Sequence, residues 1–285
     1  MYGESLAVLT AVLWAVSTIL SAEALKKVDA IRANAVKTFF SSALMLLIAY
    51  VAGEMNNLTS VSIQGLLFVV AAAIVGFGIG DTLLNLSIRL VGVSQAYTFA
   101  YTSPLLTTVI AIVFLGEPSH FGTLIGTVLT VFSVILIATE STRQGQDESS
   151  SKGLLMAFGA AVAWAAGVTF VALGLKDTSV LLANALRYPV LSAFLFLISK
   201  PKEKWDLDKR SLMLLWGSGF FGMVLGGITF LYSMRLIGAS RANPLSASSP
   251  VWASIMSSIF LKERVTARLL LSSVVMFFGI YSLTL

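Results

Sequence analysis

The sequence predicts an all-α membrane protein: ten transmembrane helices arranged as two inverted five-helix repeats. Three observations carry this. First, the 285-residue chain is 57% hydrophobic and only 12% charged, where a soluble domain holds roughly 25% charged residues. Its mean hydropathy is +0.89. Apolar runs of about 20 residues, long enough to cross the hydrocarbon core, follow one another. Second, the stretch from Arg89 to Glu117 recurs from Arg235 to Glu263. Arg89/Arg235, Gly92/Gly238, Ser94/Ser240, Ala96/Ala242, Ser103/Ser249, Pro104/Pro250 and Glu117/Glu263 all pair at one offset of 146. A repeat of that length is a duplicated half, not a solenoid unit. Third, the loop charges change sides between the halves.

In lipid every backbone polar group needs an internal partner, so the spans are helices. The apolar runs are continuous and do not alternate, which excludes a barrel. In order, the spans run roughly over 5–24, 30–52, 63–88, 94–115, 121–139, 153–175, 179–199, 211–235, 242–261 and 267–285. The first begins near Ser5 with no basic region before it, so it reads as a retained helix and not a cleaved leader. Residues 141–152 are polar and Ser-rich. They read as a linker between a first repeat, 1–140, and a second, 153–285. The fronts of the halves match too: Gly3/Gly153, Trp14/Trp164, Lys26/Lys176, Asn34/Asn184 and Ala35/Ala185 pair at an offset of 150, and Lys37 falls on Arg187. The offset shortens by four in the loop after the second span.

An odd number of spans per half makes the halves cross in opposite senses, and the charges agree. Lys26, Lys27, Arg32 and Arg89 follow spans one and three, while the loops after spans two and four hold no Lys or Arg. In the second half the bias reverses. Lys176, Arg235 and Arg241 stand against Lys200, Lys202, Lys204, Lys209, Arg210, Lys262, Arg264 and Arg268. With Arg143 and Lys152 of the linker, one face carries fourteen basic residues and the other three. This distribution explains the net charge of +5 as membrane orientation, not nucleic-acid binding. It places the basic face in the cytoplasm and both termini outside. The chain has no Cys, hence no disulfide or thiolate chemistry. Its single His, His120, lies in a loop, and no metal or cofactor is expected.

Charged groups inside spans are costly and are functional candidates by default. There are three: Lys37, Asp81 and Arg187. Lys37 and Asp81 each lie about seven residues from the same face, about 10 Å deep at 1.5 Å per residue. They read as an ion pair that fixes packing, or as a site. Asp81, with Asn85 one turn along, also reads as a proton-coupling carboxylate. Arg187 matches Lys37, but the counterpart of Asp81 is Gly227, so Arg187 lacks its symmetry-related partner. It reads as an anchor for a substrate carboxylate or phosphate, against the alternative that it snorkels to the interface.

Trp14 and Trp164 sit mid-span, away from an interfacial belt, and read as a pair facing a central cavity. Tyr97 and Tyr101 share a helix face, where Asn243 and Ala247 stand in the second half. They read as an aromatic wall for substrate or as packing. Pro104 and Pro250 remove a backbone hydrogen bond inside spans four and nine and read as kinks or hinges. Glu117 and Glu263 close their helices and read as structural, each capping the next span or pairing with a loop cation. Asn34 and Asn184 read as interhelical hydrogen-bonding groups. Glycines in spans three and eight permit close helix approach, and no nucleotide fingerprint is credible inside apolar spans.

Taken together, these features resemble the drug/metabolite transporter superfamily, EamA type: two five-span halves, a Gly-Val/Ala-Ser turn in each, Ser103–Pro104 and Ser249–Pro250, and a terminal Glu117 or Glu263. The resemblance covers nearly the whole chain. It implies a central cavity lined mainly by spans one, three, four, six, eight and nine, and export of amino acids or related compounds. It also implies cytoplasmic termini, the reverse of the charge count. The expected partners are membrane lipids and a small-molecule substrate in the cell membrane, with protons and a second copy of the chain as open additions and no nucleic acid. An alternating-access carrier is the leading reading, an uncoupled facilitator or channel the near alternative, and a membrane-embedded enzyme the remote one.

Overall fold

A computed structural model describes residues 1–118, 120–138, 151–199, 207–260 and 266–285, without the side chains of 89, 92–95, 97, 98, 137, 138 and 257–260. Among the described residues the chain is helical, with no strand. The α-helices are α1 (Tyr2–Ala24), α2 (Ala30–Val51), α3 (Ile63–Ala71), α4 (Asp81–Ala100), α5 (Ser103–Phe114) and α6 (Phe121–Ala138), then α7 (Ser151–Gly174), α8 (Val180–Ile198), α9 (Lys209–Ser218), α10 (Gly226–Ile237), α11 (Ala239–Ser246), α12 (Ser249–Phe260) and α13 (Ala267–Thr284). A π-helical segment, Ala72–Gly80, joins α3 to α4, and another, Gly219–Leu225, joins α9 to α10. The two occupy the same place in the repeat.

Among the described residues, seven helices are long and apolar enough to cross a membrane: Tyr2–Ala24, Ala30–Val51, Ile63–Ile88, Ser151–Gly174, Val180–Ile198, Lys209–Ile237 and Ala267–Thr284. Predicted spans four, five and nine are not among them. Span four breaks at Tyr101 and Thr102 before α5, and span nine breaks between α11 and α12. Pro104 and Pro250 therefore do not kink continuous helices. They sit in the first turns of α5 and α12, where a missing N–H costs no intrahelical bond. The turn predicted after Arg89 is also absent, since α4 is helical through it. Its counterpart is real: Gly238 has φ of 77°, and α11 restarts there with its first amides capped by Glu117 Oε1 to Ala239 N (2.7 Å) and Oε2 to Ser240 N (2.9 Å). Glu117 is thus a cap, as expected, but for a helix of the other half. Glu263, residues 141–150 of the linker and the Tyr97 side chain lie outside the described residues.

Caps set several helix starts. The Asp29 carboxylate accepts from Ile31 N and Arg32 N, and its repeat partner Ser179 accepts from Leu182 N. Ser62 accepts from Gly65 N, and its repeat partner Asp208 from Ser211 N. Such caps satisfy amides the helix leaves orphaned.

Packing exchanges the halves. α1 lies on α10 and α7 on α4, while α2 packs on α8 and α6 on α13. The close approaches repeat in register. A Cβ at Gly3 would meet Leu236 and Ile237, and one at Gly153 would meet Leu90 and Val91. Gly226 abuts Trp14 as Gly80 abuts Trp164. Loops meet in two sets. At the basic face, Lys27 pairs with Asp208 (2.6 Å), Arg210 with Glu23 (3.3 Å), and Arg32 Nε donates to Ser199 O. At the other, Ser62 bonds Asp177 (2.6 Å) and Glu117 caps α11.

Candidate functional site

Between the halves lies a cavity of about 440 Å³. At one end its lining reaches Leu25 and Ala30 at the α1–α2 turn, beside Lys26 and Lys27. The lining then runs inward past Trp14, Asn34, Lys37, Asp81, Trp164 and Arg187 to Val171, Phe230 and Asn243, all three of them buried. That inner end is held shut by polar contacts between halves. Asn243 Nδ2 donates to Thr107 Oγ1 (2.9 Å), Thr108 Oγ1 donates to Ser240 O (3.1 Å), and the Thr10 and Thr229 hydroxyls bond at 2.7 Å. The Thr108 bond has a backbone cause. Pro244 inside α11 has no N–H to give Ser240 O, so a side chain of the other half supplies the donor.

The residues singled out in the sequence converge on this space: Trp14, Trp164, Tyr101, Arg187, Asp81, Lys37, Asn85 and Pro104 all line it. Pro250 does not line it, though its neighbour Ser249 does. The expected six spans are not the whole wall, because α2 contributes Asn34 and Lys37 and α8 contributes Arg187 and Tyr188.

The two tryptophans are equivalent in position but not in partner. Trp14 Nε1 donates to Gly222 O (3.1 Å), and its ring tilts against Phe230 with centroids 5.2 Å apart. Trp164 Nε1 donates instead to Asp81 Oδ1 (2.9 Å), and its ring meets Tyr101 edge-on at 6.2 Å. Both indole N–H groups are thereby satisfied while the rings face the cavity, the use to which a buried Trp is suited. Asp81 takes a further hydrogen bond from the Asn34 side chain, and Lys37 acts on it through its charge. The expected pair is therefore a four-residue cluster in which hydrogen bonds come from Trp164 and Asn34.

Arg187 does not snorkel. It is 3% exposed, with its guanidinium carbon 4.9 Å from the Tyr188 ring centroid and 5.7 Å from that of Phe77. Nη2 donates to the Tyr188 hydroxyl (3.1 Å), which donates to Met223 O (2.8 Å). Nε has no partner. Asn184 was expected to bond between helices as Asn34 does. It is fully buried, and neither side-chain atom is partnered. For Nδ2 the reason is the missing carboxylate: the counterpart of Asp81 is Gly227, and the Tyr188 hydroxyl fills the space where a Cβ of residue 227 would point. Tyr188 and Phe77 escaped the sequence reading. The only signal for Tyr188 was an aromatic hydroxyl adjoining an intramembrane Arg. A serine cluster was missed as well: the Ser218 hydroxyl bonds those of Ser17 (2.8 Å) and Ser21 (2.6 Å) where α1 crosses α9.

The EamA-like transporter family matches this chain twice, over residues 1–139 and 151–285. An "Uncharacterized transporter" of Archaeoglobus fulgidus is 27% identical over 277 residues, covering 96% of this chain and 95% of the relative. A protein of known crystal structure superposes with a TM-score of 0.79 over 98% of this chain and 95% of its own, at 15% identity, a likeness of fold.

Proposed function

This chain belongs to the EamA-like transporter family of the drug/metabolite transporter superfamily, and on that premise we propose that it is an alternating-access carrier. In this reading it exports a small metabolite, an amino acid or a related compound, across the cell membrane, and it is not an enzyme. Ten spans in two inverted five-helix halves, 1–140 and 153–285, form the moving parts. The packing of α1 on α10 and α7 on α4, and the separation of loop contacts into two sets, support that arrangement. The observation that carries the reading is the cavity itself. It is walled by both halves, holds all three intramembrane charges, reaches one face and is closed toward the other. Carriers of inverted-repeat design place the site between their repeats and alternate its access by rocking them.

Within the cavity we assign Trp14, Trp164 and Tyr101 to substrate contact, Arg187 to an anchoring role, and Asp81 with Lys37 and Asn85 to coupling. Exchange across proteoliposomes tests the proposal. A carrier loaded with unlabelled amino acid takes up labelled amino acid against its gradient. Flux that grows linearly with concentration and shows no such counterflow belongs to a channel and refutes the carrier.

A further inference from the structure

The halves build the same corner of the cavity twice, once with a carboxylate and once without. In the first half Asp81 accepts from Trp164 Nε1 and from Asn34, with the Lys37 charge beside it. The repeat carries Asn34 to Asn184, Lys37 to Arg187, Thr38 to Tyr188 and Asp81 to Gly227. What remains in the second half is a set of donors whose acceptor is gone. Arg187 Nε and Asn184 Nδ2 are buried and unpartnered donors. Tyr188 does not replace the missing group, because its hydroxyl is neutral and gives its proton to Met223 O. The faces of Phe77 and Tyr188 flank the guanidinium, but a ring face accepts no directed bond at Nε. Of the described lining side chains, three are charged, Lys37, Asp81 and Arg187, which leaves them one positive charge in excess.

We propose that the substrate is an organic anion whose carboxylate seats against the Arg187 guanidinium in the cavity wall, in the half where the repeat lacks a counterpart of Asp81. A carboxylate matches the guanidinium edge with two parallel acceptors. An ammonium group would add to the positive charge of the cavity, and Asp81, the one carboxylate among the described lining residues, is already engaged by Trp164, Asn34 and Lys37. The inference rests on the cavity being the carrier's site, and it narrows amino acids and related compounds to acids of net negative charge.

Three probes that share a phenylalkyl skeleton and differ in charge test it: 3-phenylpropionate, L-phenylalanine and 2-phenylethylamine. They are added to the purified full chain at matched ionic strength while thermal unfolding is followed, since a ligand of the folded state raises the midpoint. The expected result is a concentration-dependent rise with 3-phenylpropionate alone, an affinity at least tenfold weaker in Arg187→Gln, and partial recovery in Arg187→Lys. A rise with the amine or the zwitterion equal to that with the anion, a response untouched by Arg187→Gln, or no response to any of the three overturns the assignment.

A second variant does not depend on how Arg187 substitutions fold. Gly227→Asp with Tyr188→Thr rebuilds in the second half the Asp81 and Thr38 of the first. It is expected to abolish the anion's effect, and a retained response counts against the site. Failure of this inference is distinguishable from failure of the carrier reading. Counterflow without anion preference leaves the carrier standing and removes the anion, whereas anion binding without any exchange removes the carrier and keeps the site.

Discussion

Asp81 and Lys37 set up the sharpest single-residue test. Breaking a buried charge pair by neutralising one partner strands the other, at a cost of about 3–5 kcal/mol. Removing both charges costs far less. Asp81→Asn is therefore expected to lower stability by that amount in equilibrium unfolding from detergent micelles, and Asp81→Asn with Lys37→Met is expected to recover most of it. Additive losses would show that the two charges do not depend on each other. The same Asp81→Asn variant is expected to flatten the pH dependence of transport. At this scale the sequence was informative about which residues gather and silent about how they bond. Intramembrane charge and mid-span Trp mark Lys37, Asp81, Arg187, Trp14 and Trp164 because burial of such groups is expensive anywhere in a span. That Trp164 reaches Asp81 while Trp14 reaches a backbone carbonyl depends on helix rotation, which periodicity in an all-apolar span does not report.

At the scale of elements, contacts between backbones decide what substitution each helix tolerates. A Cβ at Gly167 of α7 would lie 2.7 Å from Gly76 Cα in the first π-helical segment, with backbone on both sides and no side chain to yield. At Gly159, on the same helix, the nearest atom is Leu83 Cδ1 at 3.3 Å, the end of a flexible side chain. Gly159→Ala is thus expected to be neutral or mildly stabilising, with helix propensity gaining up to about 1 kcal/mol. Gly167→Ala is expected to lower the melting temperature, and equal melting temperatures would contradict the crossing.

Loop contacts are testable by pH. Hydrogen bonds from Lys27, then from the Ser211 side chain and backbone, hold the Asp208 carboxyl well below its ordinary range. A depressed carboxylate stabilises the fold at pH above its unfolded value of about 3.9 and loses that contribution as the pH falls through the folded value. The melting-temperature gap between the native chain and Asp208→Asn is therefore expected to be full at neutral pH and to narrow below about pH 4. A gap that widens on acidification refutes the role. Breaks within spans were the elements least visible in the sequence. Pro104 and Pro250 read from the sequence as kinks or hinges inside a span, because a proline in the first turn of a new helix and one inside an old helix differ only in where the preceding helix stops.

For the whole molecule, the duplication is legible because the offset of 146 survives through seven identical pairs, and the loop charges predict that the halves cross in opposite senses. The cavity's openness toward one face was not legible, since it arises where the halves stop being equivalent: Glu117 caps α11 and Asn243 meets Thr107 at one end, while Leu25 lies exposed at the other. In an alternating-access carrier this cavity is reached from each face in turn. The absence of native cysteine makes it directly measurable. Thr18→Cys, in the cavity wall, would be exposed in sealed vesicles to a membrane-impermeant maleimide from either side, with and without a disulfide joining Thr107→Cys to Asn243→Cys across the closed end. Labelling from both faces is expected in the uncrosslinked chain, with loss of labelling from the far face alone once the crosslink forms. Labelling from both faces that survives the crosslink, or a far face that never labels, would contradict it.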